Sequence, residues 1–142
     1  MWPGTEIADG TGVVENVQRV RTPYEGRLLA VDFSVGSVDY RIINVYAPNV
    51  EKEREVFFRA FRSLCNDNTI LVGDFNVWLS RLDATSTVQF RSDTSRKELL
   101  SVMGDYDLHD VWRERYPGRR DFSRRQIVLN KELTIKYAVK RN

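Results

Sequence analysis

One short segment of this chain, residues 69–76, constrains both its fold and its chemistry. It reads Thr-Ile-Leu-Val-Gly-Asp-Phe-Asn, an apolar run that meets a glycine and then presents Asp74 and Asn76. Strand side chains alternate between the two faces, so residues two apart point the same way. We therefore expect a buried strand, anchored by residues 70–72, to aim both polar side chains at one point. By itself the pattern is also typical of an ordinary strand end, where Gly, Asp and Asn form turns.

The size and composition of the chain indicate one compact domain. Its 142 residues are 42% hydrophobic, which is enough for a core. The sequence contains no apolar run of about 18 residues or more, and its first residues lack the basic and apolar regions of a signal peptide. We expect an intracellular protein, nuclear or cytoplasmic, that is not secreted and has no membrane partner. The single cysteine, Cys65, excludes an internal disulfide and is interpreted as a small core residue.

The net charge of +2 conceals an asymmetry along the chain. Up to Trp112 there are 12 basic and 17 acidic residues, and from Arg113 onward there are 10 basic and 3 acidic ones. A basic cluster attracts polyanions such as nucleic acid, although it is also typical of a solvated terminus. We interpret residues 1–12 as a loose leader and residues 13–142 as a single domain with a basic C-terminal segment from Arg113.

Hydrophobic spacing predicts strands and helices in alternation, which favours an α/β fold. Two strands over residues 27–35 and 38–46 form a hairpin around a Gly36-Ser37 turn, and Pro48 marks the exit of the second strand. An amphipathic helix is expected over about residues 52–64. The strand that ends at Asp74 follows it.

A second helix is predicted from a capping-box pattern at residues 95–98, Ser-Arg-Lys-Glu. Gly104 is expected to end this helix. The residues expected on its buried face are Leu99, Leu100, Val102 and Met103.

The C-terminal third is less regular. Residues 107–112 fit either a strand end or a short helix, and residues 116–118, Tyr-Pro-Gly, fit a turn. Residues 122–129 and 133–139 favour two strands, which we interpret as a terminal hairpin joined by residues 130–132.

Several motifs accompany the opening segment in a fixed order. They are Ile43-Asn44-Val45-Tyr46-Ala47-Pro48-Asn49, Ile70-Leu71-Val72-Gly73-Asp74-Phe75-Asn76, Leu82-Asp83, Ser95-Arg96-Lys97-Glu98-Leu99 and Asp107-Leu108-His109-Asp110-Val111-Trp112-Arg113. Together they resemble the endonuclease/exonuclease/phosphatase superfamily, and within it the apurinic-type endonuclease domains of non-LTR retrotransposons. Residues 121–125 look like the strand that follows the Pro-Gly turn in that group. The resemblance covers roughly residues 13–125 and implies a partial two-sheet α/β sandwich, with one sheet largely present and the other short of strands.

The resemblance also implies an activity. Its members hydrolyse phosphodiesters with a divalent cofactor, Mg²⁺ or alternatively Mn²⁺, so nucleic acid, with DNA first, is the expected partner. By resemblance, Asp74 orients or deprotonates the attacking water, Asn76 holds that water or the phosphate, and both approach the metal. A carboxylate and a carboxamide have the oxygen atoms and the proton-accepting capacity that such roles need.

Further contacts to the substrate follow from the same resemblance. Tyr46 matches the tyrosine that touches the scissile phosphate, and Asn49 matches a neighbouring polar contact. Alternatively, Tyr46 packs its ring on the core and Asn49 forms a turn. The candidate contacts of the basic segment with nucleic acid are Arg113, Arg124 and Arg125.

Two motifs of the superfamily have no counterpart in the sequence. One is an early strand with a metal-binding Glu, and the other is a Ser-Asp-His motif whose His stabilises the transition state. The nearest match to the superfamily's Ile-Asp-Tyr strand is residues 135–137, where Lys136 replaces the carboxylate. His109, the only histidine, is expected to be a packing residue. We therefore expect a nuclease that is inactive or impaired as this chain, with an exposed sheet edge that favours marginal stability or self-association.

Two other functions stay open. One is a non-catalytic, nucleic-acid-binding remnant of such a domain, which would use the basic segment and a vestigial cleft. The other is a phosphatase of the same superfamily that acts on a small phosphoester or a lipid headgroup. The basic segment favours nucleic acid, because a phosphatase of that kind does not need it.

Overall fold

A computed structural model describes residues 12–84, 90–120, 124–126, 131–133 and 138–140. Strands and helices alternate through the middle of the chain, over residues 38–115, as the α/β prediction requires. The elements are β1 (Val14–Val20), β2 (Leu28–Val35), β3 (Val38–Tyr46), α1 (Glu51–Phe61), β4 (Thr69–Asp74), α2 (Thr94–Asp105), β5 (Leu108–Asp110), α3 (Val111–Arg115), β6 (Arg124–Gln126), β7 (Lys131–Leu133) and β8 (Ala138–Lys140). Single-turn 3₁₀ helices lie at Arg62–Leu64 and Arg81–Asp83.

A six-stranded sheet in the order β1-β2-β3-β4-β8-β5 forms the framework. β2 and β3 make the predicted antiparallel hairpin, with Val35 opposite Val38. The turn between them uses Gly36 at a φ of +60°, which a glycine adopts at little cost. β3 and β4 run parallel and are connected through α1, so their carboxyl ends lie at the same edge of the sheet.

One face of the sheet forms the hydrophobic core with α1 and α2. The strands supply alternate residues such as Ala30, Ile43 and Leu71, each of them fully buried. α1 supplies three aromatic rings with T-shaped or tilted contacts, Phe57, Phe58 and Phe61. Cys65 is buried in this cluster, as predicted, and burial raises the pKa of its thiol to about 12. The core therefore lies entirely on the helix side of the described sheet.

The opposite face of the sheet carries the other half of each alternating pattern. In β4, only Leu71 of the three expected core anchors is fully buried, because Ile70 and Val72 point to this second face and are half-buried. Leu29 of β2 is likewise 44% exposed. Asp74 has the same parity as Val72, so the open face is the one that bears the predicted site.

Both predicted helices are present, with corrections at their ends. The first runs from Glu51 to Phe61 and tightens into the 3₁₀ turn. The second is capped by Asp93, whose side chain accepts a hydrogen bond from Arg96 N, so the prediction of Ser95 as the cap was wrong. Ser95 is buried instead and serves a tertiary contact described below.

Two further details of α2 differ from the prediction. Leu100 is 46% exposed, whereas Leu99, Val102 and Met103 are buried. Gly104 lies inside the last helical turn rather than after it. Among the described residues, no helix has both the length and the apolar character needed to span a membrane.

The C-terminal strands pair differently from the predicted hairpin. Residues 107–112 combine both expectations, since β5 runs directly into α3. β6 and β7 do pair antiparallel, but β7 takes Lys131 and Glu132 from the predicted link and only Leu133 from the predicted second strand. β8 instead joins the main sheet between β4 and β5. β8 gains backbone partners on both of its edges there, which a terminal hairpin would not provide. The leader over residues 1–11 and the Ile-Lys-Tyr match at residues 135–137 lie outside the described residues.

Gly73 makes the parallel pairing of β3 and β4 possible at its carboxyl end. Its φ is +124°, and a Cβ built there would lie 2.1 Å from Val45 O and 2.7 Å from Val45 N. Both are backbone atoms of the neighbouring strand, so no side-chain rotation could relieve the overlap. The residue before Asp74 must therefore be glycine.

We predict that Gly73→Ala lowers the free energy of unfolding by about 2 to 4 kcal/mol, because it combines a strained φ with a backbone overlap. Gly104→Ala is the matched control. That site has open space around a built Cβ and lies within a helix, so alanine should be neutral or stabilising by up to about 1 kcal/mol. Urea unfolding measures both values, and equal effects of the two substitutions would contradict the prediction.

Candidate active site

The ends of two parallel strands place Tyr46 and Asp74 side by side. They are register partners at the last positions of β3 and β4, strands that lie about 4.8 Å apart. Partners in a parallel pair point to the same face, here the face away from the helices. Just beyond the pair, Ala47 N donates to Asp74 O at 2.9 Å, which holds the two chain ends together. Tyr46 is 53% exposed, so its phenol is open to solvent beside the carboxylate.

A turn after β4, rather than the strand alternation that we predicted, positions Asn76 beside Asp74. β4 ends at Asp74, so strand alternation does not determine the direction of the Asn76 side chain. Asn76 instead has a φ of +49°, and its backbone N donates to Asp74 Oδ1 at 3.0 Å. This is a local side-chain-to-backbone turn, which Asn and Asp favour. The turn brings the backbone of Asn76 against the Asp74 carboxylate, while the Asn76 side chain contacts Ala47.

The carboxamide of Asn76 has a fixed orientation. Its Nδ2 donates to Ala47 O at 2.7 Å. A carbonyl oxygen only accepts hydrogen bonds, so the amide nitrogen must face Ala47 and the amide oxygen must face away from it. Asn76 therefore presents an oxygen and one remaining N–H.

The donor set fits a magnesium ion held mainly by water and substrate. Asp74 Oδ2 and Asn76 Oδ1 accept no hydrogen bond from the described residues. Within those residues, no group of three or more His, Cys, Asp or Glu lies close enough to hold a metal. Mg²⁺ commonly takes only one or two carboxylates and completes its shell with waters and phosphate oxygens. One carboxylate and one amide oxygen meet that requirement, whereas a site for zinc would need more protein ligands.

Arg27 adds a positive charge beside Tyr46, a position that we did not predict from local sequence patterns. Its guanidinium lies 5.3 Å from the centre of the Tyr46 ring, and its NH1 donates to Tyr46 O at 3.3 Å. Arg27 O also accepts from Tyr46 N. Arg27 and Tyr46 are both exposed, so an anion above the site would meet this cation. Only the β2–β3 pairing locates Arg27, because it lies 19 residues from Tyr46.

The structure places Asn49 in the loop that leaves β3. Asn49 is exposed, Pro48 before it is buried, and both of their backbone carbonyls accept hydrogen bonds from Arg54. The loop is therefore held from beneath while the Asn49 residue faces solvent. Its predicted contact with substrate stays a prediction.

Arg113 lies against a different carboxylate. Its NH2 donates to Asp83 Oδ1 at 2.6 Å, and its NH1 donates to the backbone oxygens of Arg119 and Tyr116. Asp83 is 1% exposed and also accepts from Ser80. Arg113 thus links the loop after Asn76 to the turn after α3, and its contact with nucleic acid stays a prediction. Arg124 and Arg125 lie on β6, where the structure describes the backbone alone.

His109 lies between two carboxylates and away from the strand-end pair. Nδ1 is 2.7 Å from Glu114 Oε1, and Nε2 is 3.1 Å from Asp107 Oδ1. The hydrogen bond that His109 donates to Asp107 raises the pKa of His109, desolvation opposes this, and Glu114 adds to the rise. His109 is partly buried, as expected, and its ring contacts two carboxylates, with which it forms ion pairs when it is protonated.

We predict that the single imidazole resonance of the protein titrates above the ordinary pKa of 6.5, and that Asp107→Asn and Glu114→Gln each lower it. A pKa raised by folding stabilises the folded state fully below the unfolded value, and that stabilisation is lost as pH rises through the folded value. NMR of the ring Cε1–H gives the midpoint directly. A wild-type midpoint at or below 6.5 would contradict the two ion pairs.

Comparison with known proteins identifies one sequence relative and several similar folds. No family model matches the chain. The chain is 33% identical over 97 residues to the Transposon TX1 uncharacterized 149 kDa protein of Xenopus laevis, a match that covers 65% of this chain and 7% of that protein.

Three solved structures share the fold at low sequence identity. An AP endonuclease from Archaeoglobus fulgidus has a TM-score of 0.56 at 16% identity, covering 90% of this chain and 59% of that one. The AP endonuclease LMAP from Leishmania major has a TM-score of 0.61 at 17% identity, with coverages of 81% and 46%. The endonuclease domain of TRAS1, a telomere-specific non-LTR retrotransposon, has a TM-score of 0.54 at 14% identity, with coverages of 87% and 56%. The chain therefore spans about half the length of these structures.

Proposed function

We propose that this chain, whose fold is that of the endonuclease/exonuclease/phosphatase superfamily, is part of a nuclease domain that hydrolyses phosphodiester bonds in nucleic acid. The observation that carries the proposal is the pairing of Tyr46 with Asp74 at two parallel strand ends, with Asn76 locked beside them. Tyr46 and Asp74 lie at the end of a rigid sheet, on the face away from the helices, which suits a large, charged substrate.

The comparisons support a nucleic-acid substrate over a small phosphoester. The three similar structures are described as endonucleases, and the sequence relative is a transposon protein. The fold alone does not decide the substrate, because this architecture serves many chemistries. The polar groups at the strand ends and the basic segment from Arg113 make the difference here.

The proposed reaction is attack of water on phosphorus. Asp74 accepts the proton of that water, because its Oδ2 takes no hydrogen bond from the described residues. The remaining N–H of Asn76 and the Tyr46 hydroxyl donate to oxygens of the phosphate, and Arg27 balances its charge.

Asp74 and Asn76 are the residues that would hold a divalent cation, Mg²⁺ by our proposal. When bound, the cation polarises the phosphoryl group and neutralises developing negative charge. The protein supplies the orientation of both ligands through the Asp74–Asn76 turn and the Ala47 carbonyl.

We propose that the rate of this chain is low compared with members of the superfamily that carry both of the motifs without a match here. The sequence has no match for their metal-binding Glu or for their Ser-Asp-His motif. Groups of these kinds each contribute about two orders of magnitude or more to such reactions. Nicking of a long DNA remains measurable at low rates, because one event per molecule changes its topology.

We predict that the chain nicks supercoiled plasmid when Mg²⁺ is present, and that Asp74→Asn slows nicking at least about 100-fold. Asparagine keeps an oxygen that accepts from Asn76 N, so the turn persists while the proton acceptor is lost. A chelator should abolish the wild-type reaction.

Glu53→Gln is the control for this experiment. It removes one exposed negative charge from the first turn of α1, and Glu53 is not a hydrogen-bond or ion-pair partner of Tyr46, Asp74 or Asn76, so the nicking rate should stay unchanged. Equal nicking by wild type and Asp74→Asn would show that the activity is a contaminant. Complete absence of nicking at high protein concentration would contradict a catalytic role for this chain.

A second function, binding of nucleic acid without cleavage, is favoured by the turn after α3. Arg119 lies 5.9 Å from the Trp112 ring and 5.5 Å from the Tyr116 ring, and Arg115 lies 5.9 Å from the Tyr116 ring. Arg115, Arg119 and Arg120 are exposed. Cations beside aromatic rings suit both phosphates and unstacked bases.

We predict that the chain binds a DNA duplex with an affinity that falls steeply as salt rises, because binding releases counterions. Arg120→Gln should weaken binding and reduce the slope of log affinity against log salt by about one. Lys52→Gln, at a side chain 87% exposed on the acidic helix α1, should change neither quantity. Fluorescence anisotropy at several salt concentrations measures both, and equal slopes for Arg120→Gln and wild type would contradict this surface.

A further inference from the structure

Arg54 of α1 is a buried arginine with four tertiary partners on two sides. On one side, its NH1 donates to Asn49 O at 2.7 Å and to Pro48 O at 3.2 Å. On the other side, its Nε donates to Ser95 Oγ at 2.8 Å and its NH2 to Asp93 Oδ2 at 2.8 Å. Its side chain is 6% exposed. The planar guanidinium therefore joins the loop after β3 to the start of α2.

The partners of Arg54 at the start of α2, Ser95 and Asp93, are themselves rigidly held. Asp93 caps α2 through Arg96 N and also accepts from the Ser95 hydroxyl. Burial tends to raise the pKa of Asp93, but the hydrogen bonds from Ser95 and Arg96 and the charge of Arg54 lower it overall. Asp93 is therefore a charged, fixed partner. A buried guanidinium between such partners has little freedom to move.

The other partners of Arg54, the carbonyls of Pro48 and Asn49, adjoin the candidate site in the chain. The two carbonyls that Arg54 holds follow Ala47 in the chain, and Ala47 O fixes the carboxamide of Asn76. Ala47 N also donates to Asp74 O. Tyr46 precedes this residue and Asn49 ends the segment. One short segment, residues 46–49, thus touches every element of the proposed site, and Arg54 holds its carboxyl end.

We propose that Arg54 is a positioning residue for the Asp74–Asn76 site, which it orders by holding residues 46–49 through the carbonyls of Pro48 and Asn49. This inference rests on the proposed nuclease function for its catalytic consequence. Arg54 touches neither substrate nor metal in this role. It acts through Ala47 on Asn76 and through the strand end on Tyr46.

Arg54→Lys is the informative substitution. Lysine keeps the positive charge beside Asp93, so no buried carboxylate loses its ion partner. Its single ammonium cannot reproduce a planar fork that spans four acceptors on two sides. The variant should fold, with the 46–49 segment less firmly held.

Arg41→Lys is the matched control, because Arg41 has the same kind of environment at the other end of the same strands. It forms a two-pronged ion pair with Asp32, at 2.6 and 2.7 Å, and donates to Leu64 O at 2.8 Å. It pairs with Thr69 at the start of β4, whereas Tyr46 pairs with Asp74 at its end. A general loss of stability should therefore appear in both variants, and loss of site order in only one.

Two measurements test the proposal. Hydrogen–deuterium exchange should become at least about tenfold faster at the Ala47 and Asn76 amides in Arg54→Lys and should stay at the wild-type rate in Arg41→Lys, because these amides report local opening. In plasmid nicking, kcat should fall at least about tenfold in Arg54→Lys with KM for DNA unchanged, because misplaced groups lose transition-state contacts.

The positioning role of Arg54 and the proposed nuclease function are contradicted by different results. Wild-type exchange at Ala47 and Asn76 in Arg54→Lys, or an unchanged kcat despite faster exchange, would overturn the role of Arg54. Absence of nicking by the wild type would contradict the proposed function, and the exchange comparison would then decide by itself whether Arg54 orders the segment.

Discussion

The parallel pairing of β3 with β4 is the constraint on which the rest of the structure depends. It joins strands separated by α1 in the chain and brings their carboxyl ends to one edge of the sheet. The close approach of the strands at Val45 leaves no room for a Cβ at residue 73, and the next residue is the carboxylate of the proposed site. A close approach of two backbones therefore adjoins the side chain that we propose as the proton acceptor. Any change that separates these strands would move Tyr46 from Asp74.

Polar contacts, rather than packing, determine the fine geometry at that edge. The carbonyl of Ala47, just after β3, orients the Asn76 carboxamide. Arg54 in turn holds the carbonyls of Pro48 and Asn49 in the same segment. Buried polar groups must be satisfied, so each contact restricts the next one. The hydrophobic core supports the other side of the same sheet. A site on the open face thus combines a rigid floor with groups that water and substrate can reach.

Much of the fold followed from local patterns, and the α/β fold expected from the resemblance is confirmed by three solved structures that share it. The hairpin around Gly36 was predictable because alternation and a glycine turn are local signals. The cap of α2 was not, because Ser95 matches a capping box but is drawn into a tertiary contact with Arg54. The terminal hairpin was wrong for a similar reason, since β8 pairs with strands far away in the sequence. Local secondary-structure preference is overridden where long-range strand pairing forms more backbone hydrogen bonds.

The sequence by itself determined the strand that ends at Asp74, the amphipathic helix before it and the choice of Asp74 and Asn76 as the candidate pair. Periodicity and residue chemistry are properties of short segments, so they can be read without coordinates. Only the tertiary structure decided that Asn76 joins Asp74 through a turn, that Arg27 lies over Tyr46, and that Arg113 is held by Asp83. Each of these contacts joins groups whose relative positions depend on strand ends and loop paths. Those paths depend on how all the strands of the sheet pair with one another, which cannot be read from any single segment of the sequence.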